Sequence, residues 1–126
     1  GGQASGWVSV RGTWYYLDPI SGEMASGWTK VRDTWYYLGS SGAMRTGWMR
    51  DGSTWYYLAD SGAMATGWAR VGSSWYFFAA SGAMSVGWVK DGGSWFYLSS
   101  SGAMVTGARW IDGTRYVFDD EGRLQE

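Results

Sequence analysis

Residues 47–66 read GWMRDGSTWYYLADSGAMAT, a unit of 20 residues that recurs along the whole chain. The first tryptophan of the unit recurs without slippage, at Trp28, Trp48, Trp68 and Trp88. The second follows seven residues later each time, at Trp35, Trp55, Trp75 and Trp95. Self-similarity at a fixed period of this length is the sequence signature of a repeat architecture. The pattern therefore predicts one module, 1–126, made of repeats at about 6–26, 27–46, 47–66, 67–86, 87–106 and 107–126.

The first and last repeats depart from the pattern. The first repeat begins at Gly6 and carries one extra residue, so the next begins 21 residues later. The last keeps its length, but Ala108 and Arg115 replace its two tryptophans. Terminal repeats of solenoids are often atypical because they cover an exposed apolar face. We therefore interpret 107–126 as a capping repeat.

Each repeat has the pattern of a β-hairpin. The aromatic run 54–58, TWYYL, is typical of a strand, and 48–50, WMR, is its expected partner. Asp51-Gly52 between them is expected to provide the positive φ angles of a tight turn. Isolated hairpins are marginally stable in water, so the repeats must stack on one another. The predicted fold is all-β, a solenoid of stacked β-hairpins.

Alternation along the second strand assigns its side chains to two faces. Trp55 and Tyr57 share one face with Trp48 of the paired strand, which predicts a cluster of three rings. Tyr56 and Leu58 lie on the other face and are expected to build the core. Both faces are aromatic, although stacking requires only one apolar face.

Composition excludes several classes of function. The chain has no cysteine and no histidine, so disulfides, thiolate metal sites and histidine-based acid–base chemistry are excluded. The net charge of −1 differs from the strongly basic charge that is typical of nucleic-acid-binding proteins. No apolar run is long enough to span a membrane. The opening residues 1–5, GGQAS, are neither a signal peptide nor an initiator methionine. We expect the chain to be a piece of a longer protein, and we predict no cofactor, no metal and no enzymatic activity.

The paired tryptophans fit a cage for a quaternary ammonium group. Such a cation has no hydrogen to donate, so electron-rich ring faces select it, and tryptophan provides the best of them. A cage of two or three rings predicts a weak site, on the order of millimolar. Several sites along one solenoid would bind a polymer carrying many cations much more tightly. The alternative that the rings serve only as core stays open, because large rings also dominate core energetics.

The repeat resembles the choline-binding repeats of pneumococcal-type surface proteins and phage lysins. The resemblance is carried by Gly47-Trp48, by the run 54–58 and by Ser61-Gly62-Ala63-Met64, and it recurs over essentially the whole chain. It implies a left-handed β-solenoid with choline sites between consecutive hairpins. It further implies phosphocholine on teichoic and lipoteichoic acids as the ligand, and an extracellular location at the bacterial cell wall. Homodimer formation and a catalytic or adhesive domain in the parent protein are also expected from the family.

The resemblance also implies the site residues: both tryptophans of one repeat, the second tyrosine position of the next, and a methionine. The implied sets are Trp7, Trp14, Tyr37 and Met44; Trp28, Trp35, Tyr57 and Met64; Trp48, Trp55, Phe77 and Met84; and Trp68, Trp75, Tyr97 and Met104. A weaker fifth site would pair Trp88 and Trp95 with Val117 and Leu124, for which Trp110 is a candidate substitute ring.

Two further residue classes recur near the rings. The methionines either complete an apolar wall or anchor their loop, and both readings stay open. The basic residues two places after the first tryptophan are expected to point away from a cation site; they are Lys30, Arg50, Arg70 and Lys90. Asp51 and Asp91 have no counterpart at Val71, so we expect recognition to depend on rings rather than on carboxylates.

Two other functions compete with a choline-binding module. Aromatic platforms also stack on sugars, so a module for neutral glycans such as glucans is the main alternative. Hydrolysis of a glycosidic bond would require two carboxylates at a defined separation. The run 119–121, DDE, contains carboxylates, but it is better explained as a solvated terminal loop.

Overall fold

Every 20-residue repeat folds into one antiparallel β-hairpin, as the alternation of its residues predicts. The computed structural model describes residues 6–125, so the segment 1–5 discussed above lies outside the described residues. Its first six strands are β1 (Gly6–Val10), β2 (Thr13–Leu17), β3 (Gly27–Val31), β4 (Thr34–Leu38), β5 (Gly47–Asp51) and β6 (Thr54–Leu58). The others are β7 (Gly67–Val71), β8 (Ser74–Phe78), β9 (Gly87–Asp91), β10 (Ser94–Leu98), β11 (Gly107–Ile111), β12 (Thr114–Phe118) and β13 (Leu124–Gln125).

The tight turn of the third hairpin lies one residue later than predicted, whereas that of the last hairpin consists of Asp112 and Gly113. In the third repeat Asp51 pairs with Thr54, so the turn consists of Gly52 and Ser53, and Gly52 adopts a φ of 64°. Glycine takes this left-handed conformation without the steric cost that a Cβ imposes. The prediction that Asp51 forms part of the turn is therefore wrong. Asp51 ends a strand, and its side chain belongs to one face of the hairpin.

The predicted assignment of side chains to faces is confirmed. Trp48 lies opposite Tyr57, and Met49 opposite Tyr56. The last residue of the second strand is buried in repeats two to six, with at most 2% of its surface exposed; these residues are Leu38, Leu58, Phe78, Leu98 and Phe118. Complete burial of such a side chain contributes roughly 1.5–3 kcal/mol. These apolar residues belong to the core of their own unit.

Within each unit, the loop after a hairpin connects that repeat to the one before it. The backbone N–H of Met44 donates a hydrogen bond of 2.8 Å to the carbonyl of Trp14, and Met64 bonds Trp35 in the same way. In the second half of the chain, Met104 makes the equivalent 2.8 Å bond to Trp75. The methionine thus anchors its loop directly at the second tryptophan of the preceding repeat.

The chain divides into two compact units between Ala65 and Thr66. The first unit contains the hairpins of β1–β6, and the second contains those of β7–β12 together with β13. One continuous module over 1–126 stays a prediction.

Candidate functional site

The first unit contains a cavity of about 350 Å³ with aromatic walls. It is lined by Trp7 and Trp14 of the first repeat, by Tyr36 and Met44 of the second, and by Asp60 and Ser61 of the third. The rings of Trp7 and Tyr36 meet edge to face, with their centroids 4.8 Å apart. Small-molecule sites typically have volumes of about 300–1,000 Å³. The cavity is therefore large enough for a small organic ligand.

The ring that the second repeat contributes is Tyr36, where the sequence predicted Tyr37. Neighbouring residues of a strand point to opposite faces, so the two tyrosines cannot both face the first repeat. Tyr37 instead packs on Trp28 of its own hairpin, with ring centroids 5.1 Å apart. The assignment of the closing ring is thus corrected by one residue, whereas Trp7, Trp14 and Met44 lie together as predicted.

The same arrangement occurs in the second unit around a larger cavity, of about 570 Å³. Trp68, Trp75 and Met104 line it as predicted, and Phe96 takes the place predicted for Tyr97. The centroids of Trp68 and Phe96 are 4.9 Å apart. Sequence reasoning did not foresee the polar part of this wall, which consists of Asp91, Gly92, Ser94, Asp120, Glu121 and Arg123.

Carboxylates hold the first tryptophan at two of the predicted sites. The indole N–H of Trp28 donates to Asp51 over 3.1 Å, and that of Trp68 donates to Asp91 over 2.9 Å. This contact was not predicted, because the aspartates recur only in alternate repeats and recognition was expected to depend on rings alone. The signal was nevertheless present, since residues 51 and 56 share the strand face that turns toward the preceding repeat.

The site predicted around Trp28 and Trp35 has the same ring contact with the next repeat. The Trp28 ring lies 4.8 Å from the ring of Tyr56, which again replaces the predicted tyrosine, Tyr57. Tyr57 lies 5.1 Å from Trp48 within the third repeat. Met64, the fourth predicted member, is bonded through its backbone N–H to the carbonyl of Trp35.

The set Trp48, Trp55, Phe77 and Met84 stays a prediction as a site. In the first unit, Trp48 and Trp55 pack edge to face with centroids 6.5 Å apart. In the second unit, Phe77 packs on Trp68 of its own repeat at 4.9 Å.

The capping repeat supplies a ring that the sequence reading missed. Trp88 contacts Trp95 at 6.2 Å and Tyr116 at 4.9 Å, and Phe118 lies 5.8 Å away. Tyr116 occupies the position equivalent to Tyr36, whereas the predicted Val117 is equivalent to Tyr37. An aromatic ring therefore lies against Trp88 here as well. The remaining predicted members lie elsewhere: Val117 pairs with Ala108, Leu124 packs beside Val105, Ile111 and Phe118, and Trp110 is 72% exposed.

One of the basic residues lies on a ring. The Nζ atom of Lys90 is 5.8 Å from the centroid of Trp95, so the prediction that these side chains point away from the rings is wrong at Lys90. Arg50 does not lie on a ring in this way; its Nε donates to the carbonyl of Gly52 over 3.0 Å.

Within residues 6–125 no group of three or more acidic residues is arranged to hold a metal ion. The described part of the chain also contains no helix that is long and apolar enough to span a membrane.

Comparison with known families gives a consistent match. The family described as choline-binding repeat matches residues 25–66 and 65–106, and the one described as putative cell wall binding repeat matches 5–24. No curated protein sequence matches the chain.

Several solved structures are similar to the chain. CbpJ from Streptococcus pneumoniae is 46% identical with a TM-score of 0.94, over 99% of this chain and 44% of that one. Choline binding protein F from the same organism, crystallised in the presence of a peptidoglycan analogue, is 45% identical with a TM-score of 0.92, over 97% and 41%. The endolysin from phage Cp-1 complexed with choline is 36% identical with a TM-score of 0.69, over 100% and 38%. The chain thus spans less than half the length of each of these proteins.

Proposed function

Because the chain belongs to the family of choline-binding repeats, we propose that it binds choline in the aromatic cavities between consecutive hairpins of each unit. We further propose that it is a non-catalytic module that anchors a parent protein to phosphocholine-bearing teichoic and lipoteichoic acids. Its place of action would then be the cell wall at the bacterial surface. No cofactor or metal takes part in this function.

The observation that carries the proposal is the cavity of the first unit. It is lined by three aromatic residues and a methionine, together with two polar residues: Trp7, Trp14, Tyr36, Met44, Asp60 and Ser61. A trimethylammonium group cannot donate a hydrogen bond, so ring faces and a polarizable sulfur suit it better than polar side chains do. The related endolysin from phage Cp-1 has been crystallised with choline, which supports the same ligand here.

The proposed sites combine the sequence prediction with the corrected ring positions. Each unit contains one site with a described cavity. The site of the first unit comprises Trp7, Trp14, Tyr36 and Met44, and that of the second comprises Trp68, Trp75, Phe96 and Met104. A third comprises Trp28, Trp35, Tyr56 and Met64, and a fourth comprises Trp88, Trp95 and Tyr116. The set Trp48, Trp55, Phe77 and Met84 completes the proposal on sequence alone.

Weak sites in series suit a polymeric ligand. A desolvated cation–π contact contributes about 2 kcal/mol, so a cage of a few rings binds free choline on the order of millimolar. Once one phosphocholine of a polymer is bound, its neighbours reach the other sites at a high effective concentration. The module would therefore adhere tightly to a choline-bearing wall and be released by free choline.

The first test is a titration of tryptophan fluorescence. Choline chloride is compared with sodium chloride at matched ionic strength and with a neutral oligosaccharide. We expect a saturable change with choline in the millimolar range and none with the other two. Trp14→Ala should reduce the amplitude, whereas Trp110→Ala, which alters an exposed ring outside these cages, should leave the choline midpoint unchanged. A flat choline response from folded protein would overturn the proposal, and saturation by the oligosaccharide would favour a glycan-binding module.

The anchoring role needs a separate experiment with purified cell walls. The chain should sediment with walls that carry phosphocholine, stay in solution with walls grown on ethanolamine in place of choline, and be eluted by free choline. Incubation should release no soluble wall fragments. Equal sedimentation with both kinds of wall would contradict anchoring through choline, and the release of fragments would contradict a non-catalytic module.

A further inference from the structure

We propose that Asp51 and Asp91 divide the choline cages into two classes, one in which a carboxylate of the following repeat accepts the indole N–H of the first tryptophan and one in which it does not. The inference rests on the proposed function, since it concerns the selectivity of those sites. In the carboxylate class, the residue that ends the first strand of the following repeat fixes the first tryptophan and adds a negative charge. In the other class an aliphatic residue occupies that position, although other charged residues can still line the cavity, as Asp60 does at Trp7.

The strand register places the two classes in alternate repeats. The position that ends the first strand holds Val31, Asp51, Val71, Asp91 and Ile111 in repeats two to six. Asp51 accepts the indole N–H of Trp28 and Asp91 accepts that of Trp68. Trp7 and Trp88 precede repeats with Val31 and Ile111 at this position. Within residues 6–125, neither of those indoles donates to a side-chain acceptor.

The orientation of the tryptophans also differs between two cages of the second unit. Trp88 packs edge to face on Trp95 with centroids 6.2 Å apart, and no such contact joins Trp68 to Trp75 among the described residues. This contact does not follow the two classes throughout the chain, because Trp7 and Trp14 of the first unit also lack it within residues 6–125. The class assignment therefore depends on the hydrogen bond to the carboxylate.

The charge lies where a bound cation would be placed. Asp91 lines the same cavity as Trp68, Trp75 and Met104. Coulomb attraction between unit charges several ångströms apart is modest in a solvated setting, and salt screens it. It acts on choline but not on a neutral molecule of the same shape. Asp120, Glu121 and Arg123 also line this cavity, so the contribution of Asp91 is isolated by removing its charge alone. That removal should weaken the preference of the Trp68 cage for choline over its uncharged analogue 3,3-dimethylbutan-1-ol, and should make the choline affinity less sensitive to salt.

The test resolves the sites individually in the intact chain. Each tryptophan gives one indole N–H signal in a ¹H–¹⁵N spectrum of labelled protein, which single Trp→Phe variants assign. Titrations with choline and with 3,3-dimethylbutan-1-ol then give a midpoint for every cage. Asp60 lines the cavity at Trp7 and Lys90 lies on Trp95, so the effect of the carboxylate is measured by substitution at one cage rather than by comparison between cages. We expect the ratio of the two affinities at Trp68 to fall roughly three- to tenfold when Asp91 loses its charge.

Two variants separate the positioning role from the charge. Asp91→Asn keeps an acceptor for the indole and removes the charge, so the Trp68 ratio should fall while its free indole shift changes little. Asp91→Val, which copies Val71, should also move the free shift of the Trp68 indole. Val31→Asp should raise the ratio at Trp7, and Asp112→Asn, at an exposed turn, is the matched control that should change no midpoint.

The outcomes distinguish the inference from the function on which it rests. If choline shifts no indole signal of the wild-type chain, the proposed function fails and the inference fails with it. If choline binds but Asp91→Asn leaves the Trp68 ratio unchanged, the cages work by rings alone and the inference is overturned. A ratio that falls at Trp68 and stays constant at Trp88 supports the two classes.

Discussion

The indole N–H of Trp68 donates a hydrogen bond of 2.9 Å to Asp91, which lies 23 residues further along the chain. Trp28 and Asp51 repeat this relationship at 3.1 Å in the first unit. The separation is one repeat plus three residues. The bond therefore joins the start of the first strand of one hairpin to the end of the first strand of the next hairpin. A cage is therefore a property of two consecutive repeats. A substitution in one repeat should be detected at the tryptophans of the repeat before it.

The loop glycine Gly62 provides a first prediction about stability. Its φ is 91°, and a Cβ added there would lie 2.4 Å from the Sδ atom of Met44. Gly62→Ala should therefore displace the methionine as well as strain the backbone, and destabilise the chain by about 1–3 kcal/mol. Thermal unfolding followed by near-UV circular dichroism measures the loss.

The matched control for this variant is Gly52→Ala. Gly52 also has a positive φ, of 64°, but an added Cβ would meet no atom within 4 Å. It should lose only the conformational part, about 1 kcal/mol. Equal losses in the two variants would mean that the contact between Gly62 and Met44 has no role in stacking.

The extended loop of the first repeat predicts a local pH dependence. The backbone N–H groups of Ser21 and Ile20 donate to the carboxylate of Asp18, and these bonds lower the pKa of Asp18 below its ordinary value of 3.8. Because the folded pKa is depressed, the stabilisation is present above the unfolded pKa and is lost as the pH falls through the folded pKa. The ¹³C shift of the Asp18 carboxyl group should titrate at a lower pH in folded protein than in urea. Identical titration midpoints in folded and unfolded protein would contradict the hydrogen bonds from the loop backbone to this carboxylate.

The hairpins were predictable from the sequence because their spacing and alternation are local properties. Period-two alternation placed Trp48 opposite Tyr57 and assigned Leu58 to the core, and both placements are confirmed. The turn was misplaced by one residue because Asp-Gly is a strong turn signal that tertiary context here overrides. That error concealed Asp51 as a strand residue whose side chain faces the preceding repeat.

The ring that closes each cage was harder to predict. Tyr36 and Tyr37 are adjacent and chemically identical, so composition cannot distinguish them, and the choice depends on which face of a hairpin meets its neighbour. That information is three-dimensional. Alternation places Tyr36 and Tyr37 on opposite faces of the hairpin, but it does not determine which of those faces meets the preceding repeat. The acidic wall residues Asp120 and Glu121 come from a loop more than two repeats away from Trp68, a separation that sequence periodicity does not address.

The lysine on Trp95 predicts a gain of affinity on its removal. The Nζ atom of Lys90 occupies the ring at 5.8 Å, where it opposes a second cation by charge and by competition for the ring. Lys90→Met should lower the choline midpoint at the Trp95 indole by roughly two- to fivefold, since an exposed cation–π contact contributes about 0.5–1 kcal/mol. Lys30→Met is the control, because Lys30 holds the same register position but makes no ring contact within residues 6–125. An unchanged midpoint in Lys90→Met would show that the lysine yields to the ligand at no cost.

Exchange of adjacent tyrosines decides which ring closes the first cage. Tyr36 contacts Trp7 of the preceding repeat, whereas Tyr37 contacts Trp28 of its own. Tyr36→Leu should therefore raise the choline dissociation constant at Trp7 by roughly two- to thirtyfold, the equivalent of a cation–π contact of about 0.5–2 kcal/mol. Tyr36→Phe should bind nearly as well, because Phe96 occupies this position in the second unit. Tyr37→Leu serves as the control and should leave the Trp7 midpoint unchanged while perturbing the Trp28 signal. The reverse pattern, with Trp7 sensitive to Tyr37 and not to Tyr36, would restore the second tyrosine position as the closing ring.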